Sequence, residues 1–132
     1  MTSPRVAVST DAAPAPRGHY SQARIVGDLI FTAGVLAFDP ATNALVGAGD
    51  AAEQTRQIFR NLTAILAEAG ASLDDVVKLT AFLQDLDRDR QAYDSVFPEF
   101  LTSPYPARLT AGARLGGDAL VEIEVIAVRP QA

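Results

Sequence analysis

Hydrophobic positions recur along this chain at two periods. Thr55, Ile58, Leu62, Ile65, Leu66 and Ala69 follow helical spacing, so one face of a long helix is buried. Asp50 ahead of them is a good N-cap, and Glu53 three residues on suggests a capping-box variant. Gly70 stands where a left-handed C-cap would end the helix. Tyr93, Val96, Phe97, Phe100 and Leu101 mark a second helical face. Pro98 interrupts it, because its ring clashes with the carbonyl of Asp94 and it lacks a donor. Strand patterns occupy 20–26 and 29–34, joined at a Gly27-Asp28 hairpin turn, and then Val76–Leu83, 108–115 and 120–128. Asp39-Pro40-Ala41-Thr42-Asn43 and the charged run 85–89 read as turns, and Gly116-Gly117-Asp118 as a hinge.

The element order is strand, strand, helix, strand, helix, strand, strand. That is an α+β fold with a mixed β-sheet and two helices packed on one face. Along the last strand, Val121, Ile123, Val125 and Ala127 share one face. Leu120, Glu122, Glu124, Ile126 and Val128 share the other. Both faces carry apolar residues and the helices cover only one, so the other is expected to meet a second subunit. Residues 1–17, rich in Ser, Thr, Ala and Pro, read as a flexible arm or extended lead-in to a single domain over 18–132.

Composition narrows the chemistry. The 132 residues suit one domain, and a net charge of −5 argues against a general nucleic-acid partner. Arginines dominate the cations, with Lys78 the only lysine. The absence of cysteine removes disulfides, thiolate metal sites and a cysteine nucleophile. His19 alone cannot build a multi-histidine metal site. No apolar run reaches the ~20 residues that span a bilayer, and no signal pattern opens the chain, so a cytoplasmic location is expected. Asn61-Leu62-Thr63 matches a glycosylation sequon, but a chance match inside a helix accounts for it.

Two constellations could carry chemistry. Arg108 and Thr110 share one strand face, and a guanidinium matches a carboxylate bidentately. A structural salt bridge accounts for such an arginine equally well. Glu122 and Glu124 lie about 7 Å apart on one face. Partial desolvation would raise the pKa of one of them toward a useful acid/base. Solvated surface glutamates are the rival reading, opposed by the flanking Leu120, Ile126 and Val128. His19 lacks a serine or carboxylate partner by motif. Tyr20 could meet a ligand or simply pack. Gly112, Gly116 and Gly117 form no phosphate-binding loop.

In chain order, the segments Tyr20-Ser21-Gln22-Ala23, Thr32-Ala33-Gly34, Asp39-Pro40-Ala41-Thr42, Glu53-Gln54-Thr55-Arg56-Gln57, Asn61-Leu62, Ser72-Leu73-Asp74-Asp75-Val76-Val77-Lys78, Pro106-Ala107-Arg108 and Val121-Glu122-Ile123-Glu124 resemble the RidA/YjgF family of reactive-intermediate deaminases. The resemblance spans roughly residues 17–130. It implies a chorismate-mutase-like α+β fold, a homotrimer with ligand clefts between subunits, and hydrolysis of enamines or imines, such as 2-imino acids, to keto acid and ammonia. It implies no cofactor and no metal. Arg108 matches the arginine that grips the substrate carboxylate, and Glu122 the glutamate that activates water. Tyr20 and the backbone around Gly34 match the cleft wall. Ala33, Asp94 and Thr110 also match ligand-facing positions. They depart from the family pattern, where a serine, an asparagine and a cysteine are usual. His19 replaces a usual proline, and the loop at Gly116-Gly117 is one residue short. These departures leave the substrate open and favour a bulkier or less polar imine acid. The alternatives are a non-catalytic trimer that binds a small carboxylate and, less favoured, a ribonuclease.

Overall fold

The computed structural model describes residues 5–130. Six strands form one sheet: β1 (Arg5–Val8), β2 (Ala23–Val26), β3 (Leu29–Thr32), β4 (Val76–Leu83), β5 (Ala107–Gly112) and β6 (Val121–Val128). Their spatial order is β1-β2-β3-β6-β4-β5, antiparallel throughout except for the parallel β4–β5 pair. Helices α1 (Ala51–Glu68) and α2 (Leu86–Ser95) belong to one side of this mixed sheet, followed by the short α3 (Phe97–Phe100). The α+β class with two helices on a mixed sheet agrees with the hydrophobic pattern.

The helix ends follow local chemistry. Asp50 caps α1 by accepting from the Glu53 amide at 3.0 Å. The reciprocal half of a capping box is absent, because the Asp50 amide goes to the Gly47 carbonyl. Glu53 instead faces Arg56 and Arg60. Gly70, at φ 85°, ends the helix in the left-handed conformation that glycine adopts without strain. Pro98 produces the expected break: α2 stops at Ser95 and α3 starts anew at Phe97.

Three expectations change. The run 85–89 is not a turn but the start of α2, with Asp85 as N-cap accepting from the Arg88 amide. Its charges masked a helix whose buried face rests on few residues. The strand expected over 108–115 ends at Gly112, where the parallel pairing with β4 runs out at Leu83. The segment read as an arm carries the edge strand β1, and its loop is tied down by Gln22. That buried side chain accepts from the Thr10 amide at 2.8 Å and donates to the carbonyls of Thr10 and Pro14. The first four residues of that segment lie outside the described residues.

Register sorts the sheet into two faces. Val121, Ile123, Val125 and Ala127 of β6 pair with Leu83, Ala81, Leu79 and Val76 of β4, and all are buried. They pack with Ile58, Phe59, Leu62 and Leu66 of α1 and with Tyr93, Val96 and Phe97 in one core. Full burial of such side chains contributes about 1.5–3 kcal/mol each. On the opposite face, Val26, Leu29, Phe31, Leu109 and Val128 remain 37–49% exposed. This is the apolar surface that alternation along β6 predicts.

Candidate functional site

Chain crossing beyond β3 builds the larger cavity. After Thr32 the backbone leaves regular pairing and rejoins β6 through a Val35–Ile123 bridge, hydrogen-bonded in both directions. Thr32 secures the departure by accepting from the Val125 amide at 2.9 Å. Asn61 of α1 fastens the next stretch of backbone, donating to the carbonyls of Leu36 and Phe38 at 3.1 and 2.9 Å. Gln57 holds Asn61 in turn. Asn61 is thus buried and fully engaged, which is incompatible with its use as a glycan acceptor in the folded chain.

The resulting cavity has a volume of about 410 Å³ and is mostly apolar. Its lining includes Arg17, Tyr20, Ala33, Gly34, Val35, Leu36, Phe38 and Glu122. Gly34 favours the close approach: a Cβ there would lie 3.0 Å from Glu122 Cδ, so the glutamate side chain would have to shift. Backbone and carboxylate therefore meet without an intervening side chain. Burial, and then the negative charge of Glu124, push the Glu122 carboxyl above its ordinary pKa. No hydrogen-bond donor to the Glu122 carboxylate is found among the described residues, so nothing offsets that desolvation. Tyr20 stands at the cavity with its hydroxyl accepting from the Arg17 amide at 3.0 Å.

Arg108 lies elsewhere. It heads β5 beside Leu79 and Val125 on the helix-covered face, whereas Glu122 pairs with Phe82 on the bare face. The strand β4 stands between them. Arg108 helps line a second pocket of about 400 Å³ with Asp94, Phe97, Pro98, Tyr105 and Pro106. Its Nη1 donates to Asp94 Oδ1 at 2.6 Å, and its guanidinium carbon is 4.8 Å from the Phe97 ring centroid. Burial works against the Arg108 charge, but Asp94 and Tyr93 outweigh it and raise its pKa. The Thr110 hydroxyl faces the same helix, 2.8 Å from the Tyr93 hydroxyl.

One chain thus gathers Tyr20, Ala33, Gly34 and Glu122 at the first cavity, and Asp94 and Arg108 at the second. Thr110 lines neither and meets Tyr93 instead. Sequence reading missed Arg17 and Phe38, which the first cavity contains. Arg17 fell within the supposed arm, and Phe38 in a stretch with no strand or helix period. Among the described residues, no group of three or more His, Cys, Asp or Glu could hold a metal ion.

The geometry has close counterparts. Residues 10–129 match the family model described as Endoribonuclease L-PSP. A RutC family protein of Pyrococcus abyssi is 46% identical over 123 residues, covering 92% of this chain and 95% of that protein. A Dermatophagoides farinae protein named 2-iminobutanoate/2-iminopropanoate deaminase is 40% identical, covering 96% and 98% of the two chains. Among solved structures, RidA from Psychrobacter matches with a TM-score of 0.84 at 41% identity, covering 93% of this chain and 98% of that one. The YjgF gene product of E. coli matches with a TM-score of 0.85 at 35% identity, covering 95% and 99%. With identity and fold agreeing over nearly its whole length, this chain belongs to the RidA/YjgF family, the Endoribonuclease L-PSP family.

Proposed function

We propose that this protein hydrolyses imines or enamines of small acids to keto acid and ammonia, at clefts between the subunits of a homotrimer. The observation that carries the reading is Glu122: a carboxylate with a raised pKa in a mostly apolar cavity, pressed against the Gly34 backbone. An imine carbon is already electrophilic, so positioning and one proton-transfer group suffice. Glu122 takes a proton from water as the water oxygen bonds to the imine carbon, and passes it to the nitrogen to give a carbinolamine. Glu122 then relays the carbinolamine hydroxyl proton to the nitrogen, the C–N bond breaks, and ammonia leaves as the carbonyl forms. Family membership supports the same reaction through the relative named as a deaminase.

The carboxylate of such a substrate falls to Arg108. Within one chain that guanidinium is on the wrong face of the sheet. A second copy would supply the missing guanidinium, and the bare face offers a surface for association in Val26, Leu29 and Val128, which pair side by side and stay exposed. Each cleft then combines the Glu122 cavity of one subunit with the Arg108 pocket of another. The ribonuclease in the family description finds less support here, since a net charge of −5 opposes phosphate binding.

The test is direct. Imines of alanine and 2-aminobutanoate are generated in situ by an amino-acid oxidase, and their decay is followed. Wild type should accelerate decay, and Glu122→Gln and Arg108→Ala should do so far less. Decay at the buffer rate with wild type, for both imines, would overturn the proposal.

A further inference from the structure

Arg17 lines the Glu122 cavity and has no part in the reaction just described. Its guanidinium carbon stacks 3.6 Å from the centroid of Phe38, another cavity residue. Its Nη2 donates to the Asn43 carbonyl at 3.0 Å and to Asn43 Oδ1 at 3.1 Å. Asn43 adopts a left-handed conformation, φ 61°, which asparagine tolerates better than most residues. The turn enforcing it is fastened by Asp39, whose carboxylate accepts from the amides of Ala41 and Thr42. The guanidinium is therefore held by an aromatic face and by two oxygens of a fixed turn. Little side-chain freedom is left to lose when a ligand arrives.

Arg17 combines a place in a cavity with the lack of a counter-ion. Arg56, Arg60, Arg88, Arg108 and Arg129 each lie within reach of a carboxylate; Arg17 has none among the described residues. Arg5, Arg24, Arg90 and Arg114 line neither the Glu122 cavity nor the Arg108 pocket. The Nε and Nη1 of Arg17 have no hydrogen-bond partner among the described residues either, so donors of the fork stay available. Among those residues it is the cation of this cavity, and Glu122 is its acid. An unneutralised, pre-positioned guanidinium beside a mostly apolar space is where an anionic group gains most.

We propose that Arg17 binds a second acidic group of the substrate, at the end remote from the C=N bond, so that the favoured substrates are imines or enamines of dicarboxylic acids. The inference rests on the hydrolase reading above, in which Arg108 takes the carboxylate next to the C=N bond. Arg17 then sets which acids fit, and Glu122 does the chemistry.

The experiment compares imines generated in situ from glutamate and from alanine, with wild type, Arg17→Met and Arg17→Lys. The ratio of kcat/KM values, dicarboxylic over monocarboxylic, is the readout. Wild type should favour the dicarboxylic imine. Arg17→Met should lower the ratio about tenfold or more, through KM, as expected for a lost charge-assisted bond. Arg17→Lys should retain part of it. Calorimetric binding of 2-oxoglutarate against 2-oxobutanoate should show the same order without turnover. A ratio unchanged in Arg17→Met, with both imines still hydrolysed, overturns the Arg17 assignment and leaves the hydrolase reading standing. If neither imine is hydrolysed, the hydrolase reading fails. In that case tighter 2-oxoglutarate binding that depends on Arg17 would still support the anion site, and its absence would remove that too.

Discussion

Glu122 and Arg108 stand on opposite faces of one sheet, and their surroundings handle charge in opposite ways. Around Glu122 the chain half-buries the carboxylate and supplies no hydrogen-bond donor among the described residues, so desolvation raises its pKa. Around Arg108 it supplies a partner, Asp94 at 2.6 Å, and an aromatic face, Phe97, so the guanidinium is held in place while still partly exposed. Under the proposed function, one region would exchange a proton and the other would exchange one carboxylate for another. On that proposal neither alone is a complete site for a small imine acid, and the bare apolar face is the surface through which a second copy would complete them.

The largest effect should come from the acid/base side. Glu122→Gln is expected to lower kcat about 10²–10⁴-fold, the usual worth of a positioned acid/base, while binding of keto-acid product changes little. A variant with near-normal kcat would show that the cavity only shapes the ligand. Next comes the grip: Arg108→Ala should reduce kcat/KM about 10–100-fold, from loss of a charge-assisted contact. Equal losses for an imine lacking a carboxylate would contradict that assignment.

Asp94→Asn sharpens the contrast at smaller scale. The pair is partly exposed, so it is worth at most about 1 kcal/mol. Releasing Arg108 from it should lower KM for carboxylate ligands by up to about fivefold. A higher KM would show that Asp94 positions Arg108 more than it competes for it.

The smallest effects concern pH. In the proposed reaction the working form of Glu122 is the carboxylate, so activity should rise with pH through an apparent pKa above the ordinary glutamate value of about 4.3. Glu124→Gln removes the lesser of the two causes and should move that limb modestly to lower pH. Stability follows the same shift with a definite sign. Between the ordinary and the raised pKa the native state keeps a proton that the unfolded chain has released. Stability therefore falls as pH rises through that window. Denaturant titrations should find Glu122→Gln more stable than wild type above the window, with the difference closing below the ordinary glutamate range.

Much of this was legible in the sequence wherever a period ran long enough. Alternation in β6 placed Glu122 opposite the buried Val121, Ile123 and Val125, and helical spacing placed α1 with its caps. The start of α2 was not legible, because Asp85 to Asp89 carry charges that resemble a turn while Asp85 is a cap. The strand β1 was hidden because Arg5–Val8 is only four residues long and opens a Ser/Thr/Ala/Pro-rich stretch with no sustained alternation. Alternation put Arg108 and Thr110 on a common face, but could not say which face that was relative to Glu122. That depends on the β4 register, which links strands distant in sequence. Arg17 was invisible for a related reason: its partners, Phe38 and Asn43, are brought to it only by the fold.

The central claim is that catalysis needs Glu122 from one subunit and Arg108 from another. Subunit complementation tests it most directly. Arg108→Ala and Glu122→Gln chains, each strongly impaired alone, are unfolded together, refolded as a mixture and assayed for imine hydrolysis. Shared clefts predict that activity returns, since some interfaces then pair an intact Glu122 with an intact Arg108. Mixed assemblies that form but stay as impaired as either parent would contradict the account.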